Sequence, residues 1–361
     1  MRWVMFISVI GFAMSCTTRT DPYAPRINTI IELDKIEKTA ETVKIPAKVI
    51  YNNDWFNVDS KPKEPFIPWT SNLLEGPDST LYIFDFSQSR IVQLTNEGQY
   101  IRSVGGPGSG PGEFMGPNPH FIRSANLIYI PDTYGLRLQI FDLNCKHLRT
   151  INNLNLEGGL FAIGPNGSLL SSPTQSVPQV LFMILMHDSL GQPIKKIGAV
   201  HPNDDILFEN NIRNHYLILA NESTKFIWCL FRYSPVIRKY DYDGNFLEQI
   251  YFKSAALEKA IKDGKDYIKK FQGQKVAGGG ILIFNNVFLI ENGDLLINLC
   301  RHGNIRLTSD ESKSRLTNKY EFLNLPPKSG EKALIPNRFR LVKIANKFYA
   351  YDEKGIVIKQ E

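Results

Sequence analysis

Two aspartate–arginine pairs are the first candidates in this sequence for a catalytic or ligand-binding site. Asp85 is followed five residues later by Arg90, and Asp132 is followed five residues later by Arg137, so the pair recurs after 47 residues. A carboxylate beside a guanidinium can bind a charged ligand, and it also forms strong charge-assisted hydrogen bonds within a fold. An active site is normally asymmetric, whereas a structural contact recurs with each repeat. The repetition therefore favours a structural role for all four residues.

Histidine and cysteine give the next candidates for chemistry. The sequence has no C-x-x-C or H-x-x-x-H spacing for a local zinc site, and it has no G-x-S-x-G motif for a hydrolase nucleophile. The histidines are scattered over at least four of the predicted repeat units: His120, His147, His187, His201, His215 and His302. We therefore predict no metal site and no cofactor, and the sequence leaves any catalytic residue unknown.

A connector rich in glycine and proline lies between the two pairs. Residues 105–117 read GGPGSGPGEFMGP, with five glycines and two prolines in the first eight positions. Such a run continues neither a strand nor a helix. It also lacks the G-K-S/T ending, the G-x-G-x-x-G register and the following helix of a phosphate-binding loop. We predict a tight crossover from the outer strand of one small sheet to the inner strand of the next.

Short strands at this repeat length indicate a β-propeller. Several strand-like runs flank the connector on each side, and an interval of about 40 to 50 residues is typical of a propeller blade. The motifs resemble those of NHL-repeat propellers, in which a blade carries an Asp, an Arg-Ile/Val pair and a Gly-Pro-Gly-Glu-Phe connector. More closely, the chain resembles the Bacteroides-type six-bladed β-propeller lipoproteins. The motif covers about residues 80–142, and the resemblance implies a structural role for Gly110, Gly112, Glu113 and Phe114.

The strand rhythm of the whole chain predicts an all-β fold with six four-stranded antiparallel blades. Complete blades are expected up to about residue 323, but residues 339–361 contain only three strand-like runs. A strand from residues 27–51 can complete this last blade and close the ring without leaving an exposed edge. One short helical insertion is predicted at residues 254–272, where apolar residues recur at helical spacing. It either packs on the rim or forms a lid beside the central channel, and we favour packing.

The N-terminus predicts export and lipid attachment. Arg2 precedes an apolar run from Trp3 to Ala13, which has the length of a signal peptide and is too short to span a bilayer. The small residues before Cys16 resemble a bacterial lipobox. We therefore expect a signal peptide at 1–15, a lipidated Cys16 with a tether at 16–26, and the propeller at 27–361. An ordinary signal peptide is the alternative. We expect the lipid anchor to lie in the outer membrane, and the sequence leaves open whether the protein is on its periplasmic or its surface face.

Composition excludes some partners and some ways of stabilising the fold. A net charge of +6 over 361 residues is a mild excess, and no basic run with interleaved aromatics indicates nucleic-acid binding. After Cys16, three cysteines remain, so no disulfide framework is predicted.

Two hypotheses for function stand. The first is a lipid-anchored envelope module that binds or scaffolds a glycan, peptide or protein partner. The alternative, from the NHL resemblance, is a propeller lyase or hydrolase with an active site in the central channel, where a metal ion remains open. The absence of a catalytic motif favours the first.

Overall fold

The protein is represented by a computed structural model of the 361-residue chain. The structure describes residues 28–36, 41–51, 70–85, 88–116, 122–154, 156, 161–172, 182–199, 216–220, 224, 226–270, 283–289, 293–300, 302–308, 315–322, 340–344, 347–351 and 357–360. The predicted signal peptide, Cys16 and the tether lie outside these residues, so their boundaries stay predictions.

The described strands form six sheets, and each sheet is one blade of a propeller. The first blade contains β4 (Thr70–Glu75), β5 (Leu81–Asp85), β6 (Arg90–Leu94) and β7 (Tyr100–Gly105). The second contains β8 (Ile122–Ser124), β9 (Leu127–Asp132), β10 (Arg137–Asp142) and β11 (His147–Asn152). The third contains β12 (Phe161–Ile163), β13 (Leu169–Ser171), β14 (Phe182–His187) and β15 (Pro193–Ala199).

The last three blades include strands from the N-terminal segment. The fourth contains β16 (Tyr216–Leu219), β17 (Phe226–Phe231), β18 (Val236–Asp241), β19 (Phe246–Lys253) and β1 (Asn28–Glu32). The fifth contains β20 (Phe284–Leu289), β21 (Leu295–Leu299), β22 (Gly303–Thr308), β23 (Arg315–Phe322) and β2 (Glu41–Ile45). The sixth contains β24 (Arg340–Ile344), β25 (Lys347–Tyr351), β26 (Val357–Gln360) and β3 (Ala47–Tyr51).

The prediction of six antiparallel blades closed by an N-terminal strand is confirmed. β3 pairs antiparallel with β26 and supplies the strand that the sixth blade lacks. The first strand of each blade contacts the first strand of the next, and β24 contacts β4, which closes the ring.

The N-terminal segment does more than close the ring. β1 pairs in parallel with β19, and β2 pairs in parallel with β23, so fifth strands cover the outer edges of the fourth and fifth blades. We call residues 28–51 the strap. Within the strap, Pro46 separates β2 from β3, and the two strands join different blades. Proline cannot donate a ladder hydrogen bond, so a strand breaks readily there.

The apolar core lies in layers between successive blades. Along β5 the side chains alternate: Leu81 and Ile83 pack toward the sixth blade, and Tyr82 and Phe84 pack toward the second. Because successive side chains of a strand point to opposite faces, a strand buried on both faces reads as a continuous apolar run. This is why the inner strands are almost uniformly apolar in sequence.

The predicted helical insertion is present as α2 (Ala255–Lys270), after the short helix α1 (Leu33–Ile36) in the strap. Leu257 and Ala260 are buried in the layer between the fourth and fifth blades, together with Ile31 of the strap. Ser254 accepts a hydrogen bond from the Leu257 N–H at 3.0 Å and so caps the helix. The apolar face of α2 therefore packs on the blades, as we favoured. Among the described residues, no helix combines the length and the apolar character needed to cross a membrane.

Candidate functional site

Both aspartate–arginine pairs lie at the turn between the second and third strands of a blade. Arg90 Nε lies 3.1 Å from Asp85 Oδ2, and Arg137 Nε lies 2.8 Å from Asp132 Oδ2. In each pair the aspartate ends one strand and the arginine begins the next, as directly opposed residues. Both carboxylates are fully buried. We call this arrangement the clamp.

In the second blade, the clamp fastens the glycine-rich connector. Arg137 Nη1 donates to the Ser109 carbonyl at 2.5 Å, and Nη2 donates to the carbonyls of Gly108 and Glu113 at 3.4 and 3.0 Å. Asp132 accepts hydrogen bonds from the backbone N–H groups of residues 115 and 116. The guanidinium and the carboxylate therefore both hold main-chain groups of the connector, which places the connector and this turn on one face of the disc. We call it the connector face.

The other connector residues predicted to be structural lie within the same arrangement. Glu113 Oε2 accepts a hydrogen bond from the Gly110 N–H at 2.9 Å. The Gly112 N–H donates to Gln139 Oε1 at 2.8 Å. Phe114 is buried in the layer between the first and second blades, where its ring lies edge-on to Phe84.

Gln139 was missed from the sequence. It is fully buried on β10, and its Nε2 donates to the Glu113 carbonyl at 2.5 Å while its Oε1 accepts from Gly112. A buried amide needs partners for both its donor and its acceptor. The only signal in the sequence was a polar residue at an inward position of an otherwise apolar strand.

The arginine of the first clamp has different hydrogen-bond partners from the arginine of the second. Arg90 Nε donates to Asp85, but the buried Nη2 of Arg90 has no hydrogen-bond partner within the described part of the chain. The connector that enters this blade, residues 52–69, lies outside that part. The two repeats therefore share an ion pair and differ in what the guanidinium holds.

Serine–histidine contacts occur at two other places, and both are internal. Ser171 Oγ lies 3.0 Å from His187 Nε2, and His187 Nδ1 lies 3.1 Å from the Gly191 carbonyl. A carbonyl only accepts, so Nδ1 carries the proton and Nε2 accepts from the serine hydroxyl. Ser254 Oγ similarly lies 2.8 Å from His302 Nε2. All four side chains are buried, so these contacts join strands and α2 rather than present a nucleophile.

The environment of His187 disfavours its charged form. Burial lowers the pKa of His187, and the Gly191 carbonyl and Asp188 oppose this only in part. Burial also lowers the pKa of His147, which lies 2.9 Å from Thr150 Oγ1. A neutral imidazole could bind a metal, but the described histidines 147, 187 and 302 belong to three different blades. Within the described ranges, no group of three or more His, Cys, Asp or Glu could hold an ion. Histidines 120, 201 and 215 lie outside them.

The cysteines behave as small apolar residues. Cys145, Cys229 and Cys300 are all buried, and none of the three forms a disulfide. Burial raises the pKa of Cys145 and of Cys229, so neither thiol is activated.

A second repeat was missed from the sequence, at the turns between the third and fourth strands. A threonine or aspartate side chain accepts backbone N–H groups of its own turn in four blades, at Thr95, Asp142, Asp188 and Asp241. Three residues after each lies a residue with positive φ, which is glycine in three turns and Cys145 in the other. The signal was a Thr/Asp-x-x-Gly spacing, which Cys145 interrupts. These turns lie on the face opposite the connector face.

Comparison with known proteins agrees with this architecture. A family model described as "6-bladed beta-propeller" matches residues 70–254, slightly more than half of the chain. A Bacteroides fragilis NCTC 9343 protein described as exported has a TM-score of 0.51 at 13% identity, with 92% of this chain and 99% of that chain covered. Staphylococcus aureus virginiamycin B lyase has a TM-score of 0.48 at 12% identity, with 84% and 85% covered. Identities this low show a shared fold only. Among curated proteins, no sequence matches significantly.

Proposed function

The chain belongs to the six-bladed β-propeller family, and we propose that it is a lipid-anchored cell-envelope module that binds or scaffolds a partner. The partner is a glycan, a peptide or a protein. The more specific likeness to NHL-repeat propellers and to Bacteroides-type lipoproteins is part of this proposal.

The binding role is supported by one observation: the aspartate–arginine pairs and the serine–histidine pairs, which could have formed a catalytic site, make contacts that stabilise the fold. The clamps hold turns and a connector, and the serine–histidine contacts join buried elements. In the fifth blade, Arg306 Nη2 likewise lies 2.6 Å from Asp294 Oδ2. Side chains with these roles stabilise a rigid disc, and a rigid disc with long connectors on one face is suited to recognition.

The lipid anchor is supported by the sequence before the strap. Cys16 follows an apolar run of signal-peptide length, and a structural neighbour from Bacteroides fragilis is described as exported. A diacylglycerol with an N-acyl chain gives more than one buried chain, which makes attachment stable.

Fractionation of cells tests the anchor. Wild-type protein should sediment with membranes, and Cys16→Ala should move to the soluble envelope fraction. Cys16→Ala that still sediments with membranes would contradict the lipobox assignment.

Metal analysis of the purified protein separates binding from the enzyme alternative. The binding module should contain no stoichiometric transition metal after purification without chelator. One bound ion per chain, lost together with any turnover on dialysis, would instead favour a channel enzyme.

A further inference from the structure

The turn above the second clamp carries residues that the clamp does not need. The two clamps provide an internal comparison, because Ser89 and Leu136 occupy the same position, directly before the arginine, with φ of 49° and 48°. Left-handed backbone is disfavoured for residues with a branched bulky side chain and is better tolerated by short polar ones. Blade 1 has serine at this position, whereas blade 2 has a leucine that is 52% exposed. Leu136 therefore combines backbone strain with an exposed apolar side chain.

Two further exposed apolar side chains belong to this turn and to the connector that the clamp holds. Tyr134, in the same turn, is 79% exposed, and Met115, in the connector, is 57% exposed. A Cβ atom on Gly116 would overlap the Tyr134 ring, so this glycine lets the ring lie against the connector. The Met115 N–H is held by Asp132 at 3.1 Å. The clamp thus fixes the backbone from which all three side chains extend. We call Met115, Tyr134 and Leu136 the blade 2 patch.

Neither folding nor the clamp accounts for this patch. In the turn of the first clamp, serines (Ser87 and Ser89) stand at the two sequence positions that Tyr134 and Leu136 occupy in the second. Strained backbone that persists beside exposed apolar side chains is found at ligand clamps, where binding offsets its cost. Tyrosine and methionine are also enriched where proteins contact partners.

Resting on the proposed binding function, we propose that the blade 2 patch is a docking site for an extended peptide segment of a protein partner. The exposed area of three side chains is on the order of 300 Å², well below the roughly 800 Å² per partner that a standard interface between folded proteins buries. A second copy of the chain or a globular domain therefore needs more surface than the patch provides. One apolar side chain of an extended peptide needs only a surface of this size.

Charge adds a second requirement for the peptide. The charged residues of the turn and connector are Glu113, Asp132 and Arg137, and their charges sum to −1 at neutral pH. Glu113 is exposed and precedes Met115 by two residues, whereas Asp132 and Arg137 form an ion pair with each other. A lysine or arginine beside the apolar anchor of the peptide would therefore be favoured, and an acidic residue there would be disfavoured.

Arrays test this proposal with the full chain. Wild-type protein is applied to an array of immobilised random dodecapeptides and, in parallel, to a glycan array. The matched variant Tyr134→Ser/Leu136→Ser places serines like those of blade 1 on the same clamp. We expect wild type to bind peptides with an apolar anchor and a neighbouring basic residue. The variant should lose at least about tenfold in affinity, as for loss of an aromatic hot spot. Its denaturant midpoint should be unchanged or higher.

The outcomes separate this inference from the general binding function. If the double variant binds the same peptides as tightly as wild type, the patch is not the site, although the binding function stands. Binding to glycans alone would show that the peptide class is wrong. Wild type that binds neither array would overturn both the inference and the proposed function. Tyr134→Ser alone repeats the measurement should the double variant fail to fold.

Discussion

Truncation of the two clamp arginines should destabilise the protein unequally. Arg137 donates to four acceptors, namely Asp132 and three main-chain carbonyls of the connector. Arg90 donates to Asp85 and carries a buried Nη2 with no partner in the described part of the chain. Arg137→Ala therefore removes the ion pair and the three hydrogen bonds that hold the connector. Arg90→Ala removes an ion pair together with this Nη2 donor.

The size of the difference follows from these contacts. Removing one partner of a buried pair costs roughly 3–5 kcal/mol, and each neutral hydrogen bond contributes about 1 kcal/mol net. After the truncation, Asp132 still accepts hydrogen bonds from two backbone N–H groups, which lowers the free-energy cost of leaving its buried carboxylate without the arginine. We expect about 4 kcal/mol for Arg137→Ala. For Arg90→Ala we expect about 2 kcal/mol, because removing a buried Nη2 that has no partner among the described residues offsets about 1–3 kcal/mol.

Urea unfolding of both variants beside wild type gives the free energies of unfolding, and hydrogen exchange reports on the connector. Arg137→Ala should unfold at the lower urea concentration and lose protection of amides in residues 105–116, whereas Arg90→Ala should leave these amides protected. Arg137→Lys is the matched control, since lysine keeps the charge but lacks the planar fork that holds several carbonyls. Equal unfolding midpoints for all three variants and wild type would refute a structural role for the clamps.

Two further predictions concern the strap and the pH dependence of stability. Deletion of residues 28–51 should abolish soluble folding, because it removes β3 from the sixth blade and uncovers β19 and β23; a soluble truncated protein with an unchanged melting temperature would contradict this. For His187, burial lowers the pKa in the fold below the unfolded value of about 6.5. The unfolded state therefore binds the proton more readily, and the stability that neutral His187 contributes is present above about pH 6.5 and declines as the pH falls further. The free energy of unfolding measured from pH 7.5 to 5 should fall less steeply in His187→Gln, and identical slopes would exclude the effect.

The blade architecture could be predicted because it produces patterns among residues that are close in sequence. The clamp recurs after 47 residues, and the connector between its copies admits neither helix nor strand. The deficit of one strand in the last blade then required an N-terminal partner, which β3 supplies. Each inference depended on residues close in sequence or on a count of strands.

The strap and the surface of the connector face could not be predicted in the same way. The strand pattern of β1 and β2 was visible, but parallel pairing with β19 and β23 joins residues more than 200 positions apart. The exposure of Tyr134 and Leu136 was also hidden, since apolar residues between strands read equally well as core. The burial of Gln139 could not be predicted either, because a polar residue usually lies at the surface. Its hydrogen-bond partners are main-chain groups of the connector, more than 20 residues earlier in the chain.

Comparison of the first two blades distinguishes what folding requires from what it permits. Residues shared by both copies, the aspartate and the arginine, make the same ion pair in each, and their removal should affect stability. Residues that differ on the same framework, Ser89 and Leu136, share a backbone conformation without sharing chemistry. The left-handed backbone is common to both copies, so the clamp can be built with a serine at this position, and the leucine of the second blade is not required for it. Leu136 and Tyr134 extend into solvent, and our proposal assigns them to contact with another molecule.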